Sequence, residues 1–305
     1  MHQLTVIDGC FLYNKTHATL MAMQPSYGRE LATVITKSFF TIVTFLVIII
    51  LAVSVLTVQF DNDVVISDGT CNIAVLPIEG ILLPYTGLEG FDLVTTPQMI
   101  SDFMDAAEAD DNIKGVLVEI NSPGGTPVAS HRIAERLHSS SLPVVGLIGD
   151  IGASGGYMVA AATDFVIASP MSDVGSIGVN MSYVEQSEKN EEEGLTYVQL
   201  MTGKFKDIGS PERPITDEER ELLQSDLDII HNEFIDIVTE YRELPRAEVV
   251  AAADGASMPG ARALNANLID ALGNRPEATA ALAGYTDQPI DDITFCEYDQ
   301  GFLLF

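Results

Sequence analysis

An uncharged stretch of 23 residues constrains this chain more than any other feature. It runs from Ser38 to Phe60 and reads SFFTIVTFLVIIILAVSVLTVQF. A helix rises 1.5 Å per residue, so a helix of this length crosses the hydrocarbon core of a bilayer. We therefore predict a transmembrane anchor at 38–60. A buried core helix is the alternative interpretation.

The charges on either side of this stretch predict its orientation. Lys15, Arg29 and Lys37 precede it, and the first charge after it is Asp61. Because basic flanking segments stay in the cytoplasm, residues 1–37 are expected to be a short cytoplasmic segment, with everything after Asp61 outside the cell. The stretch lacks a small-residue cleavage site at its end, which favours a retained anchor over a removed signal peptide.

The chain is strongly acidic. Its 305 residues include 44 Asp and Glu against 15 Lys and Arg, a formal net charge of −29. This charge argues against nucleic-acid binding. Concentrated salt would screen the self-repulsion of such a surface, so we predict a halophilic source. The three cysteines, Cys10, Cys71 and Cys296, are too few and too scattered for a disulfide framework or a zinc site, and ordinary thiols are expected.

Apolar strand patterns alternate with helical patterns after the anchor. The predicted strands are 71–82, 113–121, 143–149, 164–169 and 196–203. Strands that are apolar on both faces and alternate with helices are typical of a parallel sheet covered on both sides, so the predicted fold class is α/β. Thr216 and Glu219 form a capping box that predicts a long helix ending near Glu243. Shorter helices are predicted at 245–253, 260–267 and 276–283.

The sequence DIGASGGY contains a candidate nucleophile, Ser154, where an apolar strand gives way to a small-residue helix. Glycines on both sides remove bulk, which leaves the hydroxyl accessible and the amide of Gly155 free to face a bound carbonyl. The structural alternative is a serine that caps the helix. A second glycine turn, NSPGGT at 121–126, can direct a backbone amide toward an oxyanion at a helix N-terminus.

A serine nucleophile needs a base, and histidine is the usual one. The five histidines are His2, His17, His131, His138 and His231. None lies between residues 139 and 230, and His131 and His138 are expected to be surface or partly buried side chains. The pattern therefore does not favour a Ser-His-Asp triad, and a serine-lysine dyad remains.

Two lysines fall in the motif TGKFKDIGSP, at Lys204 and Lys206, and only two others, Lys114 and Lys189, follow the anchor. Bringing a lysine pKa from about 10.4 to near 7 requires about 4–5 kcal/mol of differential stabilisation. An acidic protein favours the ammonium form. A lysine base must therefore be buried away from carboxylates and held by hydroxyl groups.

Four motifs together carry a family resemblance. NSPGG, GASGGY, GSIGV and GKFKDIGSP follow one another behind an N-terminal apolar stretch. In this they resemble the SppA-type signal peptide peptidases, membrane-anchored serine-lysine peptidases with a crotonase/Clp-like fold, in their short form with one catalytic domain. The resemblance covers about 73–283 and implies a peptidase domain at 61–284. Residues 285–305, which end in GFLLF, would be a tail, either a docked strand or loose.

The resemblance also implies residue roles. Ser154 would be the nucleophile and Lys206 the general base, whereas the other lysine of that motif matches a variable position and is expected to be solvated. Ser176, in GSIGV, would hydrogen-bond the lysine amine. Gly125 and Gly155 would supply the oxyanion amides. No cofactor and no metal is implied.

Family members assemble into rings in which serine and lysine meet across a subunit boundary, so the resemblance implies a homo-oligomer. The expected substrates are extended, mostly apolar peptides, such as remnant signal peptides at the outer face of the membrane. Two alternatives stay open: a catalytically silent membrane scaffold with the same fold, and a crotonase-type acyl-CoA enzyme. A Clp-type protease would need a histidine shortly after the serine.

Overall fold

The computed structural model describes residues 13–58, 66–67, 69–86 and 93–296. The chain divides into two compact units, residues 1–63 and 64–305.

The first unit contains one long helix, α1 (Tyr13–Val58). Its part from Gly28 to Val53 has a mean hydropathy of 2.5 and is long and apolar enough to cross a membrane. None of this part is buried within the described structure. Residues 59–65, which include the end of the predicted anchor and Asp61, lie outside the described residues, as does Cys10.

The second unit is built from a nine-stranded sheet and flanking helices. The strands are β1 (Ile73–Leu82), β2 (Val94–Thr95), β3 (Gly115–Gly125), β4 (Val144–Ala153), β5 (Phe165–Ala168), β6 (Asp173–Gly175), β7 (Ser257–Pro259), β8 (Ala271–Leu272) and β9 (Phe295–Cys296). The helices are α2 (Pro97–Ala109), α3 (Pro127–His138), α4 (Gly155–Ala161), α5 (Ser187–Glu192), α6 (Asp217–Tyr241), α7 (Arg246–Ala252), α8 (Gly260–Asn265) and α9 (Arg275–Tyr285), with a 3₁₀ turn at Ile290–Asp292.

The sheet is mostly parallel, in the order β2-β1-β3-β4-β5-β8. β9 pairs in parallel with β1, β6 pairs in parallel with β4, and β7 pairs with β6 in antiparallel. Successive strand residues point to opposite faces, so Val116 packs in the larger core cluster and Leu117 in the smaller one. Ala278 and Leu282 of α9 cover the face that carries Leu117. Both faces are buried, and the predicted α/β class is confirmed.

Two strands run further than the sequence indicates. β3 extends through the glycine turn to Gly125, because β1 pairs with it up to Leu82. β4 extends beyond Gly149 to Ala153, because β6 pairs with its last three residues. Both strands therefore carry their glycine-rich motifs to the same edge of the sheet.

The prediction of a strand at 196–203 is wrong. Residues 195–201 have no regular secondary structure, and most of their side chains are exposed. The segment has the apolar composition of a strand, but it pairs with no strand of the described chain. A strand needs a partner for its backbone groups, and composition does not supply one.

The expectation of ordinary thiols is wrong for two of the three cysteines. Cys71 and Cys296 form a disulfide, with Cα atoms 5.1 Å apart, across a sequence separation of 225 residues. The parallel pairing of β9 with the start of β1 brings them together, since Ala74 lies opposite Cys296. Residues 295–296, midway along the predicted tail of 285–305, are thus a docked strand, while 297–305 lies outside the described residues.

Replacing Cys71 and Cys296 together with serine is expected to lower the free energy of unfolding by about 2–4 kcal/mol, because the cross-link restricts a very long loop in the unfolded chain. Denaturant unfolding followed by circular dichroism would measure this difference. Reductant should lower the wild-type midpoint and leave that of the double variant unchanged. Equal midpoints for the oxidised wild type and the double variant would contradict the prediction.

Candidate active site

Ser154 connects the end of β4 to the start of α4 in an unusual backbone conformation. Its φ of 53° and ψ of −124° lie where residues other than glycine are uncommon. The Ser154 amide donates to the carbonyl of Gly175 at 2.7 Å, which ties this conformation to β6. Ser154 occupies the N-cap position of α4, as the structural alternative expects, but its side chain makes no capping hydrogen bond. A strained backbone with an uncapped hydroxyl is typical of a functional position.

The two glycine motifs lie against each other beside Ser154. A Cβ at Gly124, where φ is 97°, would lie 2.6 Å from the amide nitrogen of Gly155. A Cβ at Gly155 would lie 3.3 Å from the amide nitrogen of Gly125 and 2.1 Å from the Ser130 hydroxyl. Only glycines permit this approach. The structure therefore brings together the two residues predicted to supply oxyanion amides.

Ser122, in the same NSPGG motif, holds the first glycine turn in place. Its hydroxyl donates to the carbonyl of Gly80 at 2.6 Å and accepts from the amide of Gly124 at 3.1 Å. The side chain is fully buried. The turn is thus fixed by a side chain of its own strand.

A cavity of about 360 Å³ opens beside Ser154, Gly125 and Gly155. Its apolar wall comes from α3, α4 and α6 and includes Val128, Met158, Ile229, Ile230, Phe234 and Ile237. Its polar lining includes Ser130, His131, Asn180 and Glu233. A mostly apolar cavity next to a nucleophile suits an apolar side chain of a substrate.

Ser176 lies close to Ser154 through the pairing of β6 with β4. It also has a positive φ, 53°, and its hydroxyl donates to the carbonyl of Gly255 at 3.1 Å. Its predicted bond to a lysine amine stays a prediction. Lys206 lies in a turn, with an exposed side chain, and is not among the residues that line the Ser154 cavity in the described chain.

Comparison with known proteins identifies the family of this site. The model of peptidase family S49 matches residues 136–287, which include Ser154, Ser176 and Lys206. The chain carries a peptidase S49 domain. The NSPGG motif with Gly125 precedes the matched residues.

Curated relatives agree with this assignment. A putative protease of Methanocaldococcus jannaschii is 37% identical over 183 residues, which cover 59% of this chain and 59% of that protein. A putative signal peptide peptidase SppA of Enterococcus faecium is 30% identical over 194 residues, 63% of this chain and 56% of that protein. The capsid assembly protease C of Escherichia phage lambda is 28% identical over 224 residues, 70% of this chain and 49% of that protein.

The chain thus spans less than two thirds of the length of these relatives. The resemblance to SppA-type peptidases is confirmed. The S49 match and the relatives named as proteases support a serine peptidase. The apolar part of α1 and the SppA relative suggest a membrane-associated protein.

Within the S49 domain, the turn that carries Lys206 is anchored to the first turn of α6. Lys204 is exposed and pairs with Glu218, as a solvated side chain would. The cavity beside Ser154 contacts α6 only from Ile229 onward. At 1.5 Å per residue, Glu218 and Ile229 are about 16 Å apart along the helix axis. Within one protomer, the lysine motif therefore lies beside the first turn of α6, and the Ser154 cavity lies beside the second half of that helix.

Sequence reasoning missed several residues of the site. The capping box predicts α6 itself, but it does not say that Phe234 and Ile237 line the cavity. His131 was expected to be partly buried or at the surface; it is partly buried and lines the same cavity as Ser154. The position of His131 near the start of the helix that follows NSPGG could have indicated that it lies beside Ser154.

Within the described residues, no group of three or more His, Cys, Asp or Glu side chains could hold a metal ion.

Tyr157 fixes the helix that follows the serine. It is completely buried, and its hydroxyl donates to the carbonyl of Leu268 at 2.8 Å. Burial raises the pKa of this phenol, so it stays protonated and keeps donating at all physiological pH values. Tyr157 therefore holds α4 in place through the hydrogen bond from its hydroxyl to Leu268.

Proposed function

We propose that the chain is a membrane-anchored serine endopeptidase in which Ser154 is the nucleophile and Lys206 is the general base. The observation that carries this proposal is the geometry around Ser154. Ser154 has a strained backbone, and its hydroxyl makes no capping hydrogen bond. It lies beside two converging glycine motifs and an apolar cavity. These are the parts that acyl transfer needs: a nucleophile, oxyanion donors and a side-chain pocket.

The proposed reaction runs in two steps. Neutral Lys206 Nζ takes the proton from Ser154 Oγ, which attacks the substrate carbonyl carbon, and the amides of Gly125 and Gly155 donate to the resulting oxyanion. The C–N bond then breaks, and the lysine ammonium returns the proton to the leaving amine. In the second step Lys206 takes a proton from water, the hydroxide attacks the ester carbon, and Ser154 Oγ leaves with that proton.

We propose that the serine and the lysine of one site come from neighbouring protomers of a homo-oligomeric ring. The separation of the two motifs along α6 supports this arrangement. So does exposed apolar surface in the segment that precedes the lysine turn, where Val184 and Leu200 are 81% and 94% exposed. A groove of about 500 Å³ between residues 181–185 and the first half of α6 adds a recess with a mixed polar and apolar lining. Exposed apolar surface of this kind is typical of an interface.

The proposed substrates are extended apolar peptides, including remnant signal peptides, with one apolar side chain in the Ser154 cavity. The anchor at 38–60 would place the domain at the outer face of the cell membrane, with the N-terminus in the cytoplasm. The Cys71–Cys296 disulfide supports this side of the membrane, because disulfides persist in oxidising compartments. A membrane tether raises the local concentration of membrane-derived peptides.

Covalent labelling would distinguish the peptidase from a silent scaffold. A fluorophosphonate reacts with an activated serine, so we expect one adduct, on Ser154, in the native full-length protein in detergent. The heat-denatured protein and the Ser154→Ala variant serve as controls and should show no adduct. An intact native protein without an adduct on Ser154 would favour the scaffold. An acyl-CoA enzyme of the crotonase type would instead bind coenzyme A and leave the serine unlabelled.

A further inference from the structure

Asp207, the residue directly after Lys206, is held by three side chains. The Tyr197 hydroxyl donates to Oδ1 at 3.0 Å, and Arg213 Nε donates to Oδ2 at 2.9 Å. The side-chain amide of Gln199 also donates to Oδ2. So many donors on one carboxylate fix both the side chain and the backbone that carries it.

Arg213 connects this carboxylate to the beginning of α6. Its two terminal nitrogens donate to the two carboxylate oxygens of Glu219, at 2.6 Å and 2.9 Å. One of them also donates to the backbone carbonyl of Asp207 at 3.1 Å. The planar guanidinium can bind two carboxylates and a carbonyl at once, which a lysine ammonium cannot do with the same geometry.

Glu219 is itself fixed. Its side chain is 5% exposed, and it accepts from the amide and the hydroxyl of Thr216 in the capping box of α6. The hydrogen bond from Arg213 lowers the pKa of Glu219 to about 2. Glu219 and Arg213 are therefore both charged at neutral pH. The stabilisation of the folded protein by this ion pair is lost only as the pH falls from about 4.5 toward 2.

The backbone hydrogen bonds of the lysine turn are local: the Lys206 amide donates to the carbonyl of Gly203 at 3.3 Å, and the Ile208 amide to that of Phe205 at 3.2 Å. Gly203 and Gly209 on either side of Lys206 have positive φ angles of 90° and 77°. A Cβ at Gly203 would meet no atom within 4 Å, and at Gly209 only the Met181 methyl at 3.7 Å. Two connections join this turn to α6: the exposed Lys204–Glu218 pair and the less exposed side-chain network through Asp207, Arg213 and Glu219.

We propose that Arg213 is a positioning residue for Lys206. By tying Asp207 to the first turn of α6, its guanidinium fixes the direction in which the neighbouring lysine projects toward the serine that it serves. This inference rests on the proposed role of Lys206 as the general base. A purely structural role for Arg213 would affect folding and leave the chemical step of the folded enzyme unchanged.

The test uses the full-length oligomer in detergent and compares Arg213→Met with wild type. We expect kcat to fall about 100-fold, because a small misplacement of a catalytic group costs about that much, with KM changed less than about twofold. The acidic limb of the kcat pH profile should also move to higher pH, because a poorly held lysine amine stays hydrated and protonated. Arg213→Lys keeps the positive charge but cannot bind both carboxylates with the geometry of the planar guanidinium, so it should recover only part of kcat.

Arg246→Met is the matched control. Arg246 also bridges to α6, through Asp236 and Asn232, but away from the lysine turn. It should keep wild-type kcat and pH profile. Asp207→Asn is the second variant if Arg213→Met does not fold, and it should lower kcat about 10-fold with KM changed less than about twofold.

The outcomes separate the two proposals. An Arg213→Met oligomer with wild-type kcat and pH profile, beside an inactive Lys206→Ala protein, would overturn the positioning role and leave the dyad intact. An active Lys206→Ala protein would overturn the dyad itself. If Arg213→Met does not fold, a wild-type kcat in Asp207→Asn would overturn the positioning role.

Discussion

Replacing Ser154 with alanine is expected to reduce cleavage of a fluorogenic apolar peptide by at least about 10⁴-fold, because the proposed mechanism forms its acyl-enzyme on the Ser154 hydroxyl. Alanine keeps the Cβ that serine already has at this positive φ, so the backbone should tolerate the change. The loss would then report chemistry and leave folding unaffected. Initial rates at saturating peptide, with circular dichroism of each protein, would measure both.

Ser225→Ala is a suitable control for the Ser154 variant. Ser225 is exposed on α6, away from the cavity, and its loss should leave the rate unchanged. A Ser154→Ala protein that keeps a substantial fraction of the wild-type rate would show that another residue is the nucleophile.

Replacing Lys206 with alanine is expected to reduce the same rate by about 10³-fold, within the range that general-base catalysis contributes. The structure offers a matched control two residues away. Lys204 pairs with Glu218 in solvent, so Lys204→Ala should retain most of the activity. A comparison of kcat for the two variants at several pH values would separate a general base from a charge that merely attracts substrate.

His131 is the second control for the lysine, because it lines the cavity beside Ser154. Under the proposed mechanism His131→Gln retains most of kcat, since glutamine keeps the polar shape and removes the titrating ring. Loss of activity in His131→Gln together with full activity in Lys206→Ala would replace the dyad with a histidine base.

The local parts of the site could be predicted from the sequence because they depend on neighbouring residues. GASGGY predicts a strand-to-helix junction with an accessible serine, and the structure has that junction at Ser154. Thr216 and Glu219 predict the start of α6 through a capping box, which is present. Such features follow from the backbone requirements of a few consecutive residues.

The parts that failed depend on distant residues. Cys71 and Cys296 meet only because β9 adds to the edge of β1 across most of the domain. Apolar residues of α6 form one wall of the cavity because this helix packs beside Ser154. The apolar residues of the helix do not by themselves indicate which part of the chain they face. Residues 196–203 have strand composition without a partner strand. Sequence pattern indicates which surfaces are apolar, and tertiary contacts decide what covers them.

The shared site is the central claim, and subunit complementation tests it most directly. Ser154→Ala and Lys206→Ala chains, each inactive alone, would be co-assembled into mixed oligomers whose content of both chains is verified by mass spectrometry. In a random mixture with equal amounts, roughly one interface in four joins an intact serine to an intact lysine, so about a quarter of the wild-type activity should return. Mixed oligomers that remain as inactive as either parent would contradict a serine-lysine site formed between protomers.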